Sequence, residues 1–212
     1  MNTCYIACAL YCELDFSPEN TDYVIAADKG YENLINHNIK PNLILGDFDS
    51  YGSIPNEENV LVFPVKKDDT DSALAIEHAY KLGYKKIIVY GGIGGELSHT
   101  VANLSLIASY AEKGVTVAFV NGNEVAFGIH NQGAEFSSQA SGKISVFSHN
   151  ERAEGVFEMG LLYTLDNYTL TNKTTLGAGN EFIGVKSKIS VKNGTLIIIT
   201  SKNNFDNYLT ID

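Results

Sequence analysis

The pattern that most constrains this chain is the way its apolar runs end. Tyr23-Val24-Ile25-Ala26-Ala27 stops on Asp28-Lys29-Gly30, Leu43-Ile44-Leu45 stops on Gly46-Asp47, and residues 86–90 open into Gly91-Gly92. Short β-rich runs of this kind read as buried strands, and their carboxyl ends are where a parallel α/β sheet keeps its site. Helical segments lie between them. Residues 31–38 place Tyr31, Leu34 and Ile35 at helical spacing. Residues 70–82 form a helix capped by Asp69 or Thr70 and stopped at Gly83, and residues 98–113 form another stopped at Gly114. A first strand at 2–10, another at 60–63 and a closing one at 115–120 complete an alternation of strand and helix. That alternation predicts a parallel sheet.

Beyond about residue 131 the texture changes. No long helical periodicity remains, and β-like runs at 143–147, 155–157, 168–170, 183–191 and 195–200 sit between glycine and asparagine turns. This half reads as a small antiparallel sandwich. The expected organisation is α/β: an N-terminal three-layer, Rossmann-like parallel-sheet domain over residues 1–135, then a C-terminal antiparallel β-sandwich over 136–212. A chain of 212 residues can bury the cores this requires.

Charge narrows the partners. With 25 acidic against 15 basic residues the net charge is −10, so no nucleic acid is expected, because a phosphate backbone needs a basic face. Nor is a membrane expected, since no stretch is long and apolar enough to cross one. The apolar N-terminus lacks a basic leader and reads as a strand. Cys4, Cys8 and Cys12 are evenly spaced, which invites a metal reading. Zinc and iron–sulfur sites use other spacings and a fourth ligand, so these cysteines are read as small hydrophobes of a buried first strand. An odd count without a secretory signal fits a reducing, cytoplasmic setting.

Two acidic clusters follow apolar runs: Gly46-Asp47-Phe48-Asp49-Ser50 and Lys67-Asp68-Asp69-Thr70-Asp71-Ser72. Asp47 and Asp49 point the same way in extended chain, while Asp68 and Asp71 share a face at a helix start. Either cluster alone is an ordinary turn or cap. Two in succession at strand ends point to a cation held between carboxylates. Hard oxygen ligands with no His or Cys nearby suit magnesium, usually bound with phosphate. The glycines at 91–95 let backbone N–H groups approach a phosphate at a helix N-terminus, or they simply make a tight turn. His99 and Asn103 would share the helix face at that mouth.

Together these residues resemble the thiamine pyrophosphokinase (thiamine diphosphokinase) family. The likeness rests on Ala27-Asp28-Lys29-Gly30, the two aspartate clusters, the segment 91–103, and Asn180-Glu181-Phe182 with Gly184. The resemblance implies transfer of pyrophosphate from ATP to the hydroxyl of thiamine, using Mg2+, in a homodimer with the active site at the interface. It implies Asp47, Asp49 and Asp71 as metal ligands, with Asp49 and Asp71 catalytic. Asp28, Lys29, Gly30, Asp68, Thr70, Gly94, Gly95, His99 and Asn103 would line the nucleotide path, and Gly179 and Asn180 would approach thiamine. The chain departs from the family where Glu96 and Ser98 stand in place of Arg and Asp, and Gly179 in place of Ser. Unit charges ~4 Å apart at an effective dielectric near 20 interact by roughly 4 kcal/mol, so a charge reversal beside phosphate matters. A diverged member that binds nucleotide or thiamine phosphate without turnover is the alternative.

Overall fold

The computed structural model describes residues 2–48, 54–64 and 68–212. The chain divides into two compact units, Met1–Asn103 with Val117–Gly122, and Leu104–Thr116 with Asn123–Asp212. The described strands form one ten-stranded mixed sheet and a separate five-stranded antiparallel sheet.

Unit 1 holds β1 (Thr3–Ala7), β2 (Tyr23–Ala27), α1 (Gly30–Asn36), β3 (Leu43–Gly46), β4 (Val60–Val62), α2 (Asp71–Lys81) and β5 (Lys86–Tyr90). α3 (Leu97–Ala111) begins in it and β6 (Thr116–Asn121) ends in it. β1 pairs in parallel with β2 and with β5, and the parallel ladder runs on from β2 to β3 and β4. The alternation read from sequence therefore does give a parallel sheet. Its core is Ile6, Ile25, Leu45 and Ile87, all fully buried. β4 departs from the expectation of a buried strand. It is the last strand of the sheet, with one neighbour, and Leu61 and Val62 are exposed.

Local chemistry fixes where the helices start. The first residue of α1 is Gly30, where a Cβ would collide with the Ala7 carbonyl at the end of β1, so only glycine fits. α2 is capped by Thr70, whose Oγ1 accepts from the Ala73 N–H at 3.3 Å, and the chain leaves it through Gly83 at φ +91°.

The remaining elements are β7 (Glu124–His130), β8 (Gly133–Phe136), β9 (Lys143–Ser148), β10 (Arg152–Met159), β11 (Leu165–Thr171), β12 (Asn180–Glu181), β13 (Ser187–Ser190), β14 (Thr195–Ser201), α4 (Lys202–Asn207) and β15 (Leu209–Ile211). Unit 2 is antiparallel throughout, as β12-β9-β14-β7 and β11-β10-β13-β8-β15. The run expected at 183–191 narrows to β13, since the chain turns at Gly184 with φ +77°, and the two-residue β12 just before it has no counterpart in the sequence reading. β7, β8, α4 and β15 have no counterpart in the sequence reading. Phe136 and Phe182 join the two sheets within this unit with ring centroids 5.1 Å apart, and Phe127 meets Phe205 at the same distance. Among the described residues, no helix is long and apolar enough to cross a membrane.

β10 buries a carboxyl, Glu158, which is 2% exposed. Its Oε2 accepts from Asn180 Nδ2 at 2.9 Å and its Oε1 has no hydrogen-bond partner. Burial pushes this acid above the ordinary carboxylate range, against the opposing pull of the Asn180 bond. With the folded value above the unfolded one, its contribution to stability is complete below the usual carboxylate range and is lost as pH rises through the raised value. Thermal unfolding followed from about pH 4 to about pH 8 should thus show a smaller loss of Tm in Glu158→Gln than in the wild type. Equal losses would reject this account.

Candidate functional site

In unit 1 the strand order runs outward from β1 to β4 on one side and to β5 on the other. The place where order reverses, between β1 and β5, is where a parallel sheet opens a crevice at its carboxyl edge. A cleft of about 490 Å³ lies there. Cys8, Ala9 and Leu10 follow β1 into it, Asp28 and Lys29 follow β2, and Gly91 and Gly92 follow β5. Thr70, Asp71 and Ser72 bring in the N-terminus of α2.

The rim is built by specific bonds. The β1–β5 ladder extends past both strands, through Cys8 N–H to Tyr90 O at 2.8 Å and Leu10 N–H to Gly91 O at 3.2 Å. Buried Asn33 of α1 donates from Nδ2 to the carbonyls of Cys8 and Leu10, at 3.0 and 3.2 Å. The loop beyond is pinned by Phe16, which stacks on Tyr5 at 4.1 Å. Asp28 adopts φ +50°, a left-handed conformation that aspartate tolerates better than most residues. Its N–H donates to Leu45 O at 2.8 Å. Gly46 permits this close approach, since a Cβ there would lie 3.1 Å from Asp28 Cα.

Asn103 is the tie between three walls. Its Oδ1 accepts from the Ser72 hydroxyl at 2.9 Å, and its Nδ2 donates to Gly92 O at 2.5 Å. It therefore joins α2, α3 and the glycine turn, and its amide is spent on holding them. The glycine turn is also closed by the Gly94 N–H, which donates to Thr100 Oγ1 at 3.2 Å. Gly91 takes φ +70°, and a Cβ on it would strike the Leu10 carbonyl.

Glu96 lies on the cleft rim, largely exposed. It folds back onto its own helix: Ser98 Oγ donates to Oε1 at 2.6 Å, and His99 Nε2 stands 3.8 Å from Oε2. The substituted pair, Glu96 and Ser98, is thus hydrogen-bonded to itself at the start of α3, where the helix dipole favours a negative charge.

Of the residues singled out from sequence, Asp28, Lys29, Thr70, Asp71, Gly95, His99 and Asn103 line this cleft together. Gly30, Asp47, Asp68 and Gly94 are not among its lining residues, although Gly30 and Gly94 hold the backbone beside it. Asp49 and Lys67 lie outside the described residues. Among the described residues, no three His, Cys, Asp or Glu side chains gather as a metal cluster. The acids on the cleft wall, Asp28 and Asp71, supply the hard oxygen donors that magnesium takes. Asn180, in unit 2, is 4% exposed. Its Oδ1 accepts from the Tyr163 and Glu181 N–H groups, and its Nδ2 donates to Glu158 and to Tyr163 O. Gly179 has φ +74°, which glycine adopts without cost. Sequence reading passed over Asn33, Ser72, and Leu10. Their signal is weak, because the Asn33 bonds to backbone carbonyls, the Ser72 bond to Asn103 and the loop position of Leu10 leave no spacing pattern.

The cysteines divide. Cys4 and Cys8 are buried as expected, but Cys12 lies beyond β1 and is partly exposed. Burial first, then the charges of Cys12 and Asp71, pushes the Cys8 thiol up to about 12, so it lines the cleft as an inert wall.

A parallel sheet with an acidic, glycine-walled cleft at its switch point defines this as an α/β protein of the kind that places a ligand at strand ends. Residues 17–119 match the family described as "Thiamin pyrophosphokinase, catalytic domain", the same family that the sequence motifs resemble. Over 187 residues the chain is 26% identical to the thiamine pyrophosphokinase of Bacillus subtilis (strain 168), covering 84% of this chain and 86% of that one. The crystal structure of thiamine pyrophosphokinase from Bacillus subtilis superposes with a TM-score of 0.81 at 24% identity, covering 94% and 98% of the two chains. Thiamin pyrophosphokinase from Candida albicans shares the fold with a TM-score of 0.73 at 16% identity, covering 94% of this chain and 88% of that one.

If Asn103 is the tie described, Asn103→Ala leaves the Ser72 hydroxyl and the Gly92 carbonyl to find new partners. Stability should fall by about 1–3 kcal/mol in denaturant unfolding. Unchanged stability would show that water replaces both bonds.

Proposed function

We propose that the chain is a thiamine diphosphokinase, an enzyme that transfers pyrophosphate from ATP to the hydroxyl of thiamine and releases AMP. The observation that carries this reading is the one cleft lined by Asp28, Thr70, Asp71 and the glycine turn, in a chain similar over most of its length to thiamine pyrophosphokinases. Residues 1–135 are read as the Rossmann-like nucleotide and magnesium domain, and 136–212 as the β-sandwich that binds thiamine and dimerises.

The N–H groups at the start of α2 and at Gly91 and Gly92 face phosphate oxygens, with the helix dipole of α2 adding to them. Asp71, together with Asp47 and Asp49 as the resemblance implies, would hold Mg2+, which would neutralise charge on the transferred phosphates. Asp28, Lys29, Asp68 and Thr70 line the phosphate path. Asp71 also fixes the acceptor hydroxyl in line with the β-phosphorus. The new bond joins thiamine oxygen to that phosphorus, and the bond to the oxygen of the α-phosphate breaks. Catalysis is then mainly positioning and preorganised charge.

The site is read as completed by a second copy in a cytoplasmic homodimer, with thiamine between the α/β domain and the other copy's sandwich near Gly179 and Asn180. Unit 2 supports this with exposed apolar side chains brought side by side. Met159, Leu162 and Tyr163 stand next to Ile183 and Val185, because Leu161 bridges to Phe182 and the Leu162 N–H donates to Glu181 O.

Purified protein with ATP, magnesium and thiamine should form AMP and thiamine diphosphate in step, and no AMP without thiamine. AMP or ADP in the absence of thiamine would indicate a hydrolase, and ATP binding without turnover a diverged, non-catalytic member. Asp71→Asn should lower kcat by about a hundredfold or more with an unchanged unfolding profile, since one preorganised electrostatic group is worth that much. A variant with wild-type kcat would remove Asp71 from the site. Sedimentation of Ile183→Lys should show a shift from dimer toward monomer; a dimer of unchanged strength would place the interface elsewhere.

A further inference from the structure

Glu96 is a carboxylate on the cleft rim with no part in the reading above. Its position is fixed from its own helix by Ser98 Oγ at 2.6 Å and by His99 Nε2 at 3.8 Å. A carboxylate offers about four acceptor sites on its two oxygens, and Ser98 takes one. With its side chain 73% exposed, Glu96 presents the others to the cleft. It is therefore a held hydrogen-bond acceptor of negative charge.

Charge decides which half of a nucleoside triphosphate lies beside it. The triphosphate is repelled from Glu96 and favoured where α2 presents its N-terminus to the cleft at Thr70–Ser72. The nucleoside then covers the wall formed by Gly95 and Glu96. Leu10 supplies apolar contact on that wall: a Cβ on Gly95 would lie 3.4 Å from its Cδ2. A nucleoside has few donors to satisfy a carboxylate. Its ribose diol offers two adjacent hydroxyls that fit the two oxygens, the same pairing that acidic residues make with ribose in dinucleotide-binding folds.

We propose that Glu96 accepts hydrogen bonds from the ribose 2′- and 3′-hydroxyls of the nucleoside triphosphate and so sets a preference for ribonucleotides over deoxynucleotides. The proposal rests on the nucleotide reading of the cleft and adds the residue that selects the sugar.

Calorimetric binding of magnesium-ATP, 2′-deoxy-ATP, 3′-deoxy-ATP and ITP to the full chain tests it, with Glu96→Gln and Glu96→Ala beside the wild type. Thermal unfolding checks that both variants fold. The wild type should bind ATP about tenfold more tightly than either deoxynucleotide, the scale of one hydrogen bond to a charged group. Glu96→Ala should bring that ratio close to one by weakening ATP, and Glu96→Gln should fall between. An equal ratio in wild type and variants would overturn the proposal. So would an effect of Glu96 confined to discrimination of ATP from ITP, which would assign it to the base, or confined to the KM for thiamine. Absence of binding by ATP and deoxynucleotides alike would overturn the nucleotide reading itself.

Discussion

The parallel pairing of β1 with β2 on one side and β5 on the other is the constraint from which unit 1 follows. Parallel strands place like ends together, so Cys8, Asp28 and Gly91 emerge along one edge without any further instruction. The loops must then cross that edge within van der Waals contact, and this is why glycine recurs there. Gly30 clears the Ala7 carbonyl, Gly91 clears the Leu10 carbonyl, and Gly46 clears Asp28. The cleft is what remains when the backbones have passed one another.

Electrostatics sets the second condition. Among the described residues, Asp28, Asp71 and Glu96 are three carboxylates lining one cleft, with Lys29 and His99 as its basic groups. Helix N-termini offset part of that charge, at α2 for Asp71 and at α3 for Glu96. The arrangement suits a ligand that brings both cation and anion, and it divides the cleft into a phosphate side and a side that accepts hydroxyl donors. Unit 2 solves an unrelated problem with the same residue types. There Glu158 and Asn180 are buried together, and Asn180 uses both ends of its amide to hold the turn at Tyr163 to β12. Both asparagines, Asn103 and Asn180, were read from sequence as ligand contacts. In each, the amide is occupied by the protein's own groups.

Much of the first half was legible in the sequence. β2, β3, β5 and α2 start within a residue or two of their expected positions, because each is a continuous apolar run or a strong 3.6-residue repeat with a capping residue. Unit 2 was read less well. The run read at 183–191 was too long, since only Ser187–Ser190 pairs as β13 beyond the turn at Gly184, and β12, a two-residue Asn-Glu strand, offers no apolar pattern to read. β7 was passed over because it is buried along nearly its whole length and shows no alternation, although Asn121-Gly122 before it is a turn signal.

By itself, the sequence determined the class of the fold and several of the residues that gather at the cleft, because strand-end glycine and aspartate are local features. Tertiary structure alone decided the roles. Whether Asn103 meets a ligand or ties Ser72 to Gly92 depends on residues 31 and 11 positions away in the chain. Whether β4 is buried depends on its having one neighbour and not two. The reversed charge at Glu96 reads from sequence as a fault, and only the turn of α3 shows it held by Ser98. Spacing records which side chains share a face, but a hydrogen bond also requires a partner, and the partner is supplied by the fold.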